Sequence, residues 1–282
     1  MVDISAIRAR VAAAAQQVRD TNPMAGSITN NVTIDFVANA QLAVGGSAAM
    51  VYLPDEAEAL VAAGNAVYAN VGTLLPVLGE SIPCMARAAH AEGKTLVLDP
   101  VALGIGQLRT QIVAALKDSK PQIIRGNASE IIAVADLWGT GAAAGAGGSH
   151  GRGVDTTDDV EAALPAAVSL ARFTGGAVAV SGPTDAVTDG AVIAFSRGGS
   201  PLMACITGSG CSLGGVMAVY AAVADPFTAA LAGTQAYNLA GLRAAQQADA
   251  PGSFKVAFLD ALYRATPADI AGNPFEVEEV AL

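Results

Sequence analysis

The sequence predicts an α/β fold, a mostly parallel central sheet with helices on both faces. Short Val- and Ile-rich runs alternate with longer helical patterns, the β-α-β-α rhythm of a parallel sheet. Those runs show little apolar–polar alternation, as expected for strands covered on both faces. Of the 282 residues, 52% are hydrophobic and 14% charged. A large core can therefore form, built from Ala, Val, Leu and Ile.

The elements follow in order. Helical patterns at 3–19 and 29–44 precede a first strand at 49–53. A helix at 55–63 leads to the strand at 66–71, and a helix at 75–92 leads to Thr95-Leu96-Val97-Leu98-Asp99, the strand at 95–99. A helix at 108–119 precedes the strand at 122–125, and a helix at 129–137 follows it. Residues 139–153 are nearly all Gly, Ala, Ser and Thr and read as a flexible surface loop. The periodic pattern resumes at once with a helix at 157–174 and a strand at 177–181, so residues 1–282 read as one domain. Between 186 and 199 the rhythm breaks, and Thr188-Asp189-Gly190 reads as a hairpin turn at a sheet edge. Met203 to Ile206 reads as the end of a strand, and after Cys211 the chain reads as helical to about Tyr263.

The net charge of −10 argues against nucleic acid and anionic membrane as partners. An acidic protein that handles an anion must concentrate positive potential locally. Charged or polar residues interrupt every apolar stretch before it could span a membrane. Met1-Val2-Asp3-Ile4-Ser5 does not read as a signal peptide. Cys84, Cys205 and Cys211 share no metal-ligand spacing and fit reduced thiols in a cytoplasm. Cys84 and Cys205 read as core residues. His90 reads as solvated and His150 lies in the Gly-rich loop, so Ser-His-Asp catalysis and His-ligated zinc are poorly served.

The strongest chemical signal is Ile206-Thr207-Gly208-Ser209-Gly210-Cys211, followed by a small-residue helix. Such a bare helix N-terminus offers free N–H groups and a positive dipole end to an anion. Cys211 sits in the first turn, where a thiolate is favoured. No Gly-x-x-x-x-Gly-Lys-Ser/Thr run competes as a phosphate loop. Other polar groups fall at strand C-termini, the edge where open parallel sheets bind ligands. They are Asp99-Pro100-Val101, Arg125-Gly126-Asn127-Ala128-Ser129-Glu130, and Ser181-Gly182-Pro183-Thr184-Asp185. Asp99 and Glu130 suit Mg²⁺, and the Arg125 fork suits phosphate oxygens. Structural readings stand beside these. Asp99-Pro100 can be a turn, Asn127 and Glu130 can form a capping box, Arg125 can be an ion-pair partner, and Cys211 can be inert packing. An anion cradle with Cys211 at its lip suggests phosphoryl transfer.

With these residues in place, the chain resembles the hydroxyethylthiazole kinase family of the ribokinase-like superfamily, from about Pro23 to Ile270. The matching segments are Ile28-Thr29-Asn30, Asn70-Val71-Gly72-Thr73-Leu74, Asp99-Pro100-Val101, Arg109-Thr110, Arg125 to Glu130, Gly153-Val154-Asp155, Thr188-Asp189-Gly190, Thr207 to Cys211, and Pro251-Gly252-Ser253-Phe254. The resemblance implies a ribokinase-like fold and ATP- and Mg²⁺-dependent phosphorylation of the hydroxyl of 4-methyl-5-(2-hydroxyethyl)thiazole in thiamine salvage. It also implies a homotrimer with thiazole sites at subunit interfaces. Arg125 and Ser181 would contact ATP, with Asn127 beside them, and Asp99 and Glu130 would organise Mg²⁺. Met50 and Gly208 would line the thiazole site, with Ser27 close by. Gly208, Gly210 and Cys211 would form the catalytic turn, Cys211 standing where related kinases carry an Asp base.

The chain departs from the family pattern at several positions. The usual His and Asn before Ile-Thr-Asn are Gly26 and Ser27. The usual Gly-Ala-Gly after Asp-Pro-Val is Ala102-Leu103-Gly104, the usual Gly-Glu-Val-Asp is Gly182-Pro183-Thr184-Asp185, and Ser200 replaces a His. The Gly26 and Ser27 changes support one alternative, a kinase for a related hydroxyalkyl heterocycle; a second, a non-catalytic nucleotide- or thiazole-binding protein, is opposed by the intact Asp99, Arg125, Glu130 and Cys211.

Overall fold

The computed structural model describes residues 2–141 and 159–280. The chain runs α1 (Ile4–Thr21), β1 (Met24–Ile28), α2 (Ile34–Ala43), β2 (Ser47–Met50), α3 (Pro54–Ala63), β3 (Ala66–Asn70), α4 (Leu78–Ala91), β4 (Thr95–Asp99) and α5 (Gln107–Ala115). It continues through β5 (Ile123–Asn127), α6 (Ala128–Trp138), α7 (Val160–Thr174), β6 (Ala177–Ser181), β7 (Thr184–Thr188) and β8 (Val192–Arg197). A 3-10 turn (Pro201–Cys205), α8 (Ser209–Ala221), α9 (Pro226–Ala245), α10 (Pro251–Arg264), α11 (Pro267–Gly272) and β9 (Phe275–Glu279) complete it. Many helix starts are written locally. Asp3 and Asp225 cap α1 and α9 through their carboxylates, and Pro opens α3, α9, α10 and α11, where a missing N–H costs nothing.

Among the described residues the strands form one nine-stranded sheet in the order β2-β1-β3-β4-β5-β6-β7-β8-β9. Pairing is parallel from β2 to β6 and antiparallel from β6 to β9. Side chains alternate between two core layers. Tyr68, Val97, Ile123 and Ala179 face the layer with α1, α2, α8, α9 and α10. Val67, Leu96, Leu98 and Ile124 face the layer with α3 to α7. The predicted α/β class holds, as does the hairpin at Thr188-Asp189-Gly190; the expected edge position does not, because β9 pairs outside β8. The strands at 95–99 and 177–181 hold to the residue.

Several expectations are corrected. The strand read at 203–206 is instead the Pro201–Cys205 turn. Pro201 opens it, and Ser200 Oγ accepts from the Leu202 N–H; a short apolar run carries no periodicity that separates turn from strand. β1 is a strand that the sequence reading leaves unassigned, because Gly26 and Ser27 interrupt its β-forming residues, and the helix read from 29 begins only at Ile34. β9 was also missed. Its Glu276, Glu278 and Glu279 hide a strand signal and suit the sheet edge it occupies. Cys205 is exposed, not core, and Cys84 is half-buried, with Sγ 2.9 Å from Glu58 Oε1. The loop read at 139–153 lies, after Gly141, outside the described residues, as do His150, the Gly153-Val154-Asp155 segment and the start of the helix read at 157.

Candidate functional site

The last residues of β3, β4, β5 and β6 are Asn70, Asp99, Asn127 and Ser181, side by side on one sheet edge. Strand alternation decides which side chains meet. Asn70, Asp99, Arg125 and Ser181 each stand two residues after Tyr68, Val97, Ile123 and Ala179, so they share the α8 face.

Asp99 is fully buried. Its Oδ2 lies 3.3 Å from Arg125 Nη1 and accepts from Asn70 Nδ2 at 3.1 Å, with the Tyr68 hydroxyl at 3.0 Å. Its Oδ1 is buried without a partner among the described residues. Arg125, 8% exposed, donates from Nη2 to Ser181 Oγ at 3.0 Å, while its Nε has no partner among the described residues. Burial works against the guanidinium's charge, but Asp99 and then Glu130 outweigh it and hold Arg125 protonated. Burial raises the Asp99 carboxyl, against the pull of Arg125.

The N-terminus of α8 lies above this pair. Gly208 precedes the helix at φ +93° and no side chain among the described residues caps it, so there the first-turn N–H groups remain open. Arg125 reaches that turn at Gly210, where an added β-carbon would stand 2.7 Å from Nη1. A guanidinium and a helix N-terminus, both positive, meet here. Asp99 offsets part of that charge from below.

Cys211 is half-buried in the same turn. Its Sγ lies 3.6 Å from Asn30 Nδ2, and Asn30 donates on to Asn70 Oδ1 at 3.0 Å. The expected thiolate is not favoured. Burial, and then the charge of Asp99, push the thiol up against the opposing pull of Arg125. Desolvation outweighs the helix dipole.

Asn127 and Glu130 form the capping box. Glu130 Oε2 accepts from the Asn127 N–H and Oε1 from the Ala102 N–H, both at 2.9 Å. Glu130 therefore ties the loop after β4 to the loop after β5. Burial, followed by the Asp99 charge, raises its carboxyl to about 7.

Met50 and Ser27 do not join this group. They pair in register at the β2–β1 edge. Ser27 is fully buried, its Oγ accepting from Gln41 Nε2 at 3.1 Å. Met50 is half-buried. Gly26 faces the opposite layer, where an added β-carbon would meet Leu60 at 2.9 Å. Residue 26 thus answers to α3 packing.

Sequence reading gave no role to Tyr68, Asn70 or Asn238. Asn238 Nδ2 donates to Asp185 Oδ2 at 3.0 Å, and Asp185 Oδ1 accepts from the Gly182 N–H at 2.9 Å. Burial raises Asp185 to about 6. The isolated Asn70 and Asp185 motifs were the available signal. Among the described residues no cluster of three or more His, Cys, Asp or Glu could hold a metal.

A family model described as the hydroxyethylthiazole kinase family matches residues 15–268. A hydroxyethylthiazole kinase from Bifidobacterium animalis subsp. lactis (strain AD011) is 48% identical over 276 residues, covering 95% of this chain and 91% of its own. The solved hydroxyethylthiazole kinase of Pyrococcus horikoshii OT3 superposes with a TM-score of 0.83 at 29% identity, covering 96% of this chain and 99% of that one. A ribokinase-like superfamily protein from Enterococcus faecalis V583 shares the fold alone, with a TM-score of 0.59 at 13% identity over 86% of this chain and 88% of its own.

Proposed function

The chain belongs to the hydroxyethylthiazole kinase family, and from that premise we propose how it transfers a phosphoryl group from ATP to the hydroxyl of 4-methyl-5-(2-hydroxyethyl)thiazole in thiamine salvage. The observation that carries the proposal is the meeting of Arg125 with the open first turn of α8 at Gly210. An anion between two positive groups satisfies both. The γ-phosphate of ATP is that anion. Arg125, Ser181 and Asn127 serve the nucleotide, and the N–H groups after Gly208 face the oxygens of the migrating group.

The alcohol oxygen attacks the γ-phosphorus as the bond to the bridging oxygen breaks and ADP leaves. A loose transition state needs position and charge more than a strong base. Cys211, held as a neutral thiol by its burial, orients the hydroxyl, whose proton is lost to solvent once the new O–P bond has formed. Asp99 and Glu130 would hold Mg²⁺ with the phosphates. The unpartnered Asp99 Oδ1 fits the oxygen ligands this ion takes. Bound Mg²⁺ would neutralise phosphate charge.

Met50 and Gly208 line the thiazole pocket, with Ser27 behind it. On this reading the chain is a single domain acting as a cytoplasmic homotrimer, with pockets shared between subunits. Half-buried Met50 on the edge strand β2 supports a shared pocket, and three free cysteines suit a reducing compartment.

ADP release with ATP, Mg²⁺ and a panel of small heterocyclic alcohols tests the reading. Stimulation by the thiazole alcohol is expected. Stimulation by a different alcohol alone reassigns the acceptor, and binding without turnover makes the chain a binding protein. Light scattering tests the trimer.

A further inference from the structure

Tyr68 has no part in the chemistry above, yet its position is hard to explain by packing alone. It is fully buried in the middle of β3, where an apolar side chain would supply bulk without burying a hydroxyl. That hydroxyl donates to the Cys211 carbonyl at 2.7 Å, lies 3.0 Å from Asp99 Oδ2, and accepts from Asn70 Nδ2 at 2.9 Å. One phenolic proton thus has two acceptors, one in the first turn of α8 and one at the end of β4. Burial, then Asp99, keep the phenol protonated and able to donate.

The ring is fitted to the same helix. A β-carbon at Gly214 would stand 2.5 Å from Tyr68 Cε2 and 2.9 Å from Cζ. Glycine at 214 lets the ring pass against α8 and bring its hydroxyl to Cys211. We propose that Tyr68 is a positioning residue for phosphoryl transfer, a strut that fixes the first turn of α8, with its N–H groups and the Cys211 thiol, at a set height over Asp99. The proposal rests on the kinase reading above. Small displacements of aligned reacting groups cost rate far more than affinity.

The test is Tyr68→Phe, which removes one oxygen and keeps the ring. At saturating ATP, Mg²⁺ and thiazole alcohol, kcat is expected to fall about tenfold with both KM values within about twofold. In the ligand-free protein, hydrogen exchange of the amides from Gly208 to Leu213 is expected to quicken about tenfold, with the rest of the chain unchanged. Gly214→Ala, which pushes on the ring and spares the hydroxyl, is expected to give the same two effects; it decides the matter if Tyr68→Phe does not fold. Wild-type kcat in both variants overturns the strut, as does faster exchange spread evenly through the chain. If the wild type does not phosphorylate the thiazole alcohol, the kinase reading falls, and local exchange still decides whether the hydroxyl holds the turn.

Discussion

The guanidinium of Arg125 sits so close to Gly210 that a β-carbon there would stand 2.7 Å from Nη1 and 2.9 Å from Nη2. Gly210 is helical, with no positive φ to demand glycine. Intrinsic propensity therefore favours Ala at this position by about 1 kcal/mol. Gly210→Ala is expected to lower the melting temperature less than Arg125→Ala does, while kcat/KM for ATP falls about 10²-fold. Kinetics and a thermal melt on the same preparation separate displacement of Arg125 from damage to the helix. Wild-type ATP kinetics would remove the cradle from the reaction.

Arg125→Lys keeps a charge near Asp99 but loses the fork that reaches Ser181 and Asp99 together. A loss of about 10²–10³-fold in kcat/KM for ATP is expected, with a smaller effect on stability. Arg125→Ala leaves Asp99 buried beside no cation and is expected to lower unfolding free energy by about 3–5 kcal/mol. Urea unfolding of the two variants reads the difference, and equal stabilities would show that the pair does not act as a buried ion pair.

The Glu130 carboxyl stands at about 7 in the folded chain against an ordinary 4.5. Between these values the native state holds a proton that the unfolded state has lost. The contribution of Glu130 to stability is therefore complete below about 4.5 and is lost as pH rises through about 7. Glu130→Gln removes that slope. It also turns an amide N–H₂ toward one of two backbone donors, those of Ala102 and Asn127, at a cost of about 1–3 kcal/mol. Melts without nucleotide or metal at pH 5 and pH 7.5 should show a larger fall for wild type than for the variant.

Ala102 holds φ +55° in the loop after β4, at a position where the family usually has glycine. Its N–H is the one that serves Glu130. Left-handed backbone costs an L-residue about 1–2 kcal/mol, more than glycine's extra chain entropy. Ala102→Gly is expected to raise stability by a few tenths to about 1 kcal/mol with the Glu130 bond kept. A lower melting temperature would contradict this.

Asp99, Asn127 and Ser181 could be found in the sequence because they end Val- and Ile-rich strands, and Arg125 and Glu130 because they stand within three residues of such an end. Parallel pairing brings such ends to one edge without further information. Tyr68 could not be found that way. Within a buried strand its symbol reads as core, and its function depends on α8, which arrives 143 residues later. β1 was hidden because Gly26 and Ser27 lack the β-branched signal, although Leu60 and Gln41 pack against them. The protonation of Cys211 was misjudged because a helix start is visible locally, whereas burial is set by the whole fold.

Asn238 on α9 and Asp185 on β7 are joined at 3.0 Å, and Asp185 in turn holds the Gly182 N–H of the turn that follows Ser181. Asn238 Nδ2 also donates to Ser196 Oγ, and its carbonyl accepts from Gly199. Asn238→Ala therefore strips Asp185 Oδ2 and Ser196 Oγ of a donor and loosens the Gly182 turn beside Ser181, while the backbone bond from Gly199 survives. A loss of about 1–3 kcal/mol in urea unfolding is expected. Asp185→Ala should cost a similar amount, because the Gly182 N–H and the Asn238 amide each lose an acceptor. The double variant should cost less than the sum by about 0.5–3 kcal/mol, since the shared bond can be lost only once. Strict additivity would mean that the two side chains stabilise the turn independently, and the link from α9 to Ser181 would then fail.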